Sequence, residues 1–288
     1  MGRTPVVVVV LLLAGCAAED GAPAGQGTPP VGAPPVGAPT VSAPPAVAGI
    51  EAEAVRLRSD VTAGRRLQVR ISDTGPAPFT VTSVQLDTPG FAALPPRDTA
   101  TEFTPGRVID LPVERGAVDC ATRPEPAAAR LTVVRPDGTT EELRVPLGGD
   151  TLARLHAQEC AAEALLAVVD VRVEDLAGEG DTLAGDVVLT RRSGDDEIVV
   201  SELSPSVVLA PVPHRQLPLR LAPGEERLEL PVTFDATRCD PHALAETKQP
   251  FVFPVRVTVG DGEDALVDLP LDDGQRARLQ EFLTSACR

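Results

Sequence analysis

The sequence predicts a mainly β protein, built as two antiparallel β-sandwiches in tandem, each ending in a short C-terminal helix. Three observations predict it. Short segments alternate apolar and polar residues between Pro and Gly turns, with no βαβ rhythm. Four of the five cysteines fall into two similar frames, in which Leu111-Pro112-Val113 precedes Cys120 by the spacing at which Leu230-Pro231-Val232 precedes Cys239. Each frame then runs through a strand, a Gly turn and a second strand into an amphipathic helix that ends near Cys160 or Cys287.

In the first copy the alternating candidates are Val55 to Arg58, Leu67 to Ile71, Phe79 to Leu86, Val108 to Val113 and Leu131 to Val134. Pro136-Asp137-Gly138 then turns the chain into Leu143 to Val145. The second copy offers Val168 to Val173, Leu183 to Thr190, Ile198 to Leu203, Val207 to Leu209, Leu217 to Leu221 and Leu228 to Phe234. A hairpin over 251–259 and 264–270 follows, joined by Gly260-Asp261-Gly262-Glu263. Leu131 to Val145 and Val255 to Leu269 have the same separation, so the chain reads as an internal duplication. Asp150 and Asp273 are placed to cap the two closing helices, which carry Leu152, Leu155 and Cys160, and Leu279, Phe282, Leu283 and Cys287. Neither Gly nor Pro occurs between Gly149 and Gly178, so the first helix should run into the next strand without slack.

The segment Ile71 to Val84, with Asp73-Thr74-Gly75 at its turn and Phe91 beyond, resembles the strand, Asx-Thr-Gly, strand hairpin of Hydin-like bacterial immunoglobulin-like domains. The resemblance implies tandem immunoglobulin-like sandwiches and speaks to fold, not chemistry. It places the first over 50–163 and the second over 164–288.

The front of the chain carries an address. Arg3, the apolar run Val6 to Leu13 and the small pair Ala14-Gly15 have the parts of a secretory signal over residues 1–15. The run is shorter than the ~20 residues a spanning helix needs. Leu13-Ala14-Gly15-Cys16 resembles the bacterial lipobox, which implies that Cys16 is lipidated and becomes the mature N-terminus. Residues 16–49 read as a disordered tether rich in Pro, Ala and Gly, with an imperfect repeat in Ala33-Pro34-Pro35 and Ala43-Pro44-Pro45. The expected location is the outer face of a membrane, held through the lipid on Cys16. The remaining four cysteines of an exported chain should oxidise. Three pairings are open, and the duplication selects Cys120–Cys160 and Cys239–Cys287. A zinc site is disfavoured by the export signal and by the lack of paired Cys-x-x-Cys.

Composition excludes several functions. The formal charge of −16 argues against nucleic acid and against an electrostatic membrane partner, which leaves the lipid anchor as the membrane contact. With no Trp, no Tyr and seven Phe, a sugar-stacking platform is not expected. Lys248 is the only lysine among 26 basic residues, a bias that fits a genome rich in G and C, as in actinobacteria.

One stretch is chemically loaded. In Cys239-Asp240-Pro241-His242-Ala243-Leu244-Ala245-Glu246-Thr247-Lys248, Asp240 and Pro241 read as N-cap and first helical residue, with His242 and Glu246 one turn apart. The matching stretch of the first copy, Cys120 to Glu125, lacks this set. It resembles a Cys-Asp-x-His-Ala-x-x-Glu-x-Lys pattern of secreted actinobacterial proteins, a resemblance that implies no activity. Asp240, His242, Glu246 and Lys248 are therefore the candidate binding residues. A metal would need a third ligand, and neither His156 nor His214 is near in sequence. Acidic turns at Asp195-Asp196-Glu197 and Asp261 to Asp264 lack the ligand rhythm of an EF-hand. No Gly-x-Ser-x-Gly elbow, His-Glu-x-x-His, phosphate loop or dinucleotide fingerprint occurs, so no enzyme and no cofactor are expected. The functional expectation is a non-catalytic binding or scaffolding protein that engages another envelope or extracellular protein. The alternative is a metal-handling or sensory accessory using His242 and Glu246.

Overall fold

The computed structural model describes residues 42–288, and these are mainly β. The signal, Cys16 and most of the predicted tether lie outside the described residues. Order begins early. Val47 bridges to Ile50 across a turn at Gly49, whose φ of 77° favours glycine, and Val47 packs on the first hydrophobic cluster.

Strands β1 (Ile50–Val55), β2 (Arg66–Asp73), β3 (Phe79–Asp87), β4 (Arg97–Phe103), β5 (Val108–Glu114), β6 (Ala128–Val134) and β7 (Thr140–Gly148) form one sheet of seven, ordered β4-β3-β6-β7-β1-β2-β5. The sheet is continuous only because β1 touches β7 in parallel at two positions, Ala52 with Leu147 and Glu53 with Gly148. It therefore acts as two layers, β4-β3-β6-β7 and β1-β2-β5. Between them lies a cluster that includes Leu67, Val69, Ile71, Val81, Phe103, Leu131 and Val133, all almost fully buried.

Helix α2 (Thr151–Val168) follows, then β8 (Val169–Ala177), β9 (Ala184–Arg191), β10 (Ile198–Leu203), β11 (Leu209–Pro213), β12 (Leu219–Leu221), β13 (Arg227–Ala236), β14 (Pro254–Val259) and β15 (Ala265–Asp268). These make two four-stranded sheets, β12-β10-β14-β15 and β11-β13-β9-β8. Their cluster is separate and centres on Leu189, Ile198, Leu221, Leu230, Phe234, Phe253 and Leu279. Apart from β11, which has no counterpart, the orders match: β4-β3-β6-β7 corresponds to β12-β10-β14-β15, and β1-β2-β5 to β8-β9-β13. Ladder details repeat too. The Asp73 N–H donates to the Arg107 carbonyl as the Arg191 N–H donates to that of Glu226.

Helix α2 serves both clusters. Leu152 and Leu155 enter the first and Leu165 the second, and Val168 is followed directly by the β8 residue Val169. An apolar groove lies between α2 and the β14–β15 hairpin, lined by Ala161, Ala164, Val168, Val257, Val259 and Ala265. At the far end, helix α4 (Asp273–Ala286) covers the edge of β8, where Gln275 Nε2 donates to the Val173 carbonyl (2.7 Å) and Arg278 to that of Leu176.

Several local expectations are corrected. Asp272, not Asp273, caps α4: its Oδ1 accepts the Gln275 N–H (2.7 Å), and Gln275 returns a bond from the Asp272 N–H. Asp150 sits at the N-cap of α2 without a capping bond and pairs with Arg154 instead (3.2 Å). The strand expected over Val55 to Arg58 starts and ends earlier, because α1 (Arg58–Thr62) begins where Asp60 accepts the Leu57 N–H. Strand β4 was not foreseen: Arg97-Asp98-Thr99-Ala100-Thr101-Glu102 is polar on both sides, as an exposed edge permits.

Asp60 is fully buried beneath α1, and its two oxygens accept from Leu57 N (2.9 Å), Arg66 Nε (2.9 Å) and Gln68 Nε2 (2.8 Å). Burial pushes this carboxyl up, but the Leu57 N–H, Arg66 and Gln68 together outweigh it and hold it below the usual carboxylate range. Its stabilisation is therefore present above the unfolded pKa of about 3.9 and is lost as pH falls through the lower folded value. Asp60→Ala, which leaves three donors without their acceptor, is expected to cost about 3 kcal/mol at neutral pH. Thermal melts of the two proteins should converge as the pH is taken below about 4. A gap that stays constant to acid would refute this role.

Candidate functional site

The loaded stretch lies where expected, on a short helix behind a disulfide. Helix α3 (Pro241–Glu246) starts at Asp240, whose Oδ1 accepts the Ala243 N–H (2.9 Å). That bond, with the Arg238 guanidinium 3.0 Å away, holds the Asp240 carboxyl below its ordinary range. Ala243 and Leu244 face the second cluster. His242, Glu246 and Lys248 are on the outside, and none of their side chains takes part in a hydrogen bond or ion pair among the described residues. The next residue, Gln249, reaches back to the Val61 carbonyl in α1 (3.5 Å). Cys239 joins Cys287 at the end of α4, with Cα atoms 5.1 Å apart.

No third ligand meets His242 and Glu246. Among the described residues there is no group of three or more His, Cys, Asp or Glu placed to hold a metal. The acidic turns are engaged otherwise. Asp195 accepts the Gly224 N–H (2.5 Å), Glu197 pairs with Arg220, and Asp264 accepts the Thr258 hydroxyl (2.6 Å).

The equivalent place in the first half holds a polar cluster that the sequence did not reveal. Cys120 joins Cys160 on α2, with Cα atoms 5.5 Å apart. Beside it, Arg115 is 5% exposed and grips Glu159, the residue before Cys160, with both Nη groups, one of them 2.6 Å from Oε2. Its guanidinium lies over the Phe91 ring, 5.4 Å from the centroid. His156 meets the same ring edge-on at 5.7 Å and places Nε2 3.0 Å from the Asp119 carbonyl. Packing there is close: a Cβ on Gly90 would come within 2.6 Å of the Pro124 backbone and 2.9 Å of the His156 ring.

The cysteine frames align Arg115 with Phe234, His156 with Leu283 and Glu159 with Ala286. The second half fills these places with apolar groups packed on its cluster. One signal was available: Arg115 continues the inward alternation of Leu111 and Val113, a position at which an arginine must be paired. Nothing in the sequence named Glu159 as the partner.

No family model and no curated protein matches the chain. Among solved structures, the YadV chaperone is similar at 16% identity and a TM-score of 0.21, over 77% of this chain and 100% of that one. Red sea bream transglutaminase is similar at 10% identity and a TM-score of 0.21, over 79% of this chain and 32% of that one. At that TM-score neither likeness bears on function.

Proposed function

We propose that the protein is a lipid-anchored, extracytoplasmic binding or scaffolding module. Two immunoglobulin-like sandwiches, 50–163 and 164–288, stand on a Pro-rich tether that leaves the membrane at a lipidated Cys16. The observation that carries this reading is the pair of disulfides, Cys120–Cys160 and Cys239–Cys287, at matching places in a duplicated fold. Such bonds persist in oxidising compartments, in keeping with the export signal and lipobox at the front of the chain. The matching strand orders support the duplication.

The role is non-catalytic, and the partner is another envelope or extracellular protein. Several structurally engaged groups near the disulfides support this. Glu159 and Arg115 neutralise each other, His156 is committed to a backbone carbonyl, and Asp240 caps a helix. In-cell crosslinking followed by mass spectrometry should recover a protein partner, and Cys16→Ser should release the protein from the membrane fraction. His242→Ala with Glu246→Ala is expected to leave partner capture intact. Metal lost on that double change, with the fold preserved, would favour the metal-handling alternative instead. Turnover in a hydrolase screen would sink the non-catalytic reading.

A further inference from the structure

The outward face of β3, β6 and β7 brings two arginines onto one carboxylate beside a hollow. Arg130 on β6 stands directly opposite Arg144 on β7. Like charges directly opposite across strands are unfavourable. One carboxylate answers them both: each puts its Nε on the same oxygen of Asp87, at 3.0 and 2.6 Å. Their Nη groups make no hydrogen bond or ion pair among the described residues. This surplus of positive charge stands out in a chain of formal charge −16.

A concavity of about 290 Å³ opens beside the pair, lined also by Ser83, Gln85, Thr132 and Glu142. The next rung along is Ser83–Thr132–Glu142, with the two hydroxyls 3.2 Å apart. Glu142 is exposed and has no ion pair among the described residues. Two residues along a strand separate it from Arg144, roughly 7 Å. Cationic groups thus lie on one rung of the hollow, and the hydroxyls and an anion lie side by side on the next.

The duplicated half does not repeat this. Its matching rungs are Pro254–Asp268 and Glu202–Arg256–Leu266, and there Arg256 pairs with Glu202 at 3.1 Å. At these rungs the second half pairs its arginine, and the first leaves opposite charges open at a spacing that suits a small dipolar ion.

We propose that this face binds the carboxylate of an amino acid or short peptide, held between Arg130 and Arg144, with the ligand's ammonium toward Glu142. Paired guanidinium groups match a carboxylate's two oxygens, and Glu142 disfavours a multiply charged phosphate. The hollow lies at the small end of ligand-site sizes. The proposal deepens the binding reading and rests on it.

The test is an NMR titration of the oxidised chain from residue 16 onward, carrying Cys16→Ser. Three probes are used: glycylglycine, N-acetylglycine and inorganic phosphate. Glycylglycine should give saturating shifts confined to β3, β6 and β7. N-acetylglycine, which lacks the ammonium, should bind about twofold to fivefold more weakly. Arg130→Gln or Arg144→Gln should abolish saturation with the spectrum otherwise kept, and Glu142→Gln should erase the difference between the two peptides. Phosphate binding as tight as glycylglycine, or shifts that survive Arg144→Gln, would overturn the proposal. If cells still yield a crosslinked protein partner while no probe binds, this inference fails and the wider binding reading stands. Saturable dipeptide binding without any captured protein would uphold the inference and refute the protein-partner reading.

Discussion

Glu159→Ala is expected to destabilise the protein by about 3–5 kcal/mol, because it leaves the Arg115 guanidinium buried without its counter-charge. The reciprocal Arg115→Ala should fall near the lower end of that range, since Glu159 is 32% exposed and can rehydrate. The duplication supplies a sharper test. Arg115→Phe combined with Glu159→Ala gives the first half the residue types that the second half holds at Phe234 and Ala286. That double variant should recover to within about 1.5 kcal/mol of the starting protein, as a volume-filling apolar swap does. Denaturant titration of the three variants measures all of this. If the double variant is as unstable as Glu159→Ala, the site is not simply a packing alternative to its apolar counterpart.

Removing either disulfide should cost on the order of 4 kcal/mol through the entropy regained by the unfolded chain. The two loops are of similar length, with sequence separations of 40 and 48, so Cys160→Ser and Cys287→Ser should cost about the same in that model. Thermal melts separate this from a packing effect. The intact protein treated with reductant should fall to the stability of the matching Cys→Ser variant. Equal melting temperatures with and without reductant would refute the prediction.

Much of the fold was legible because its signals are local. Alternation marked β2, β3, β6 and β13, where one face meets a core and the other meets water. The cysteine frames marked the repeat, and their pairing followed from it. What escaped detection depends on partners distant in sequence. Strand β4 is polar up to its buried last residue, Phe103, and owes most of its place to pairing with β3. Helix α1 is held by Asp60, whose donors Arg66 and Gln68 come from the following strand.

The sites divide in the same way. The segment from Asp240 to Lys248 was visible because its spacing is that of one helical turn. Its geometry then puts His242, Glu246 and Lys248 on the exposed side. The contact between Arg115 and Glu159 spans 44 residues, and the facing of Arg130 and Arg144 depends on strand register. Apolar patterning does not encode which charged residue meets which.

Helix α2 has a mechanical consequence. Because it passes from one core into the other and is followed at once by β8, it works as an axle fixed at both ends rather than a hinge. A load applied to the first half would be transmitted to the second as a turn of the described body. The Arg130 face and the α3 segment would then swing together, keeping their relative bearing.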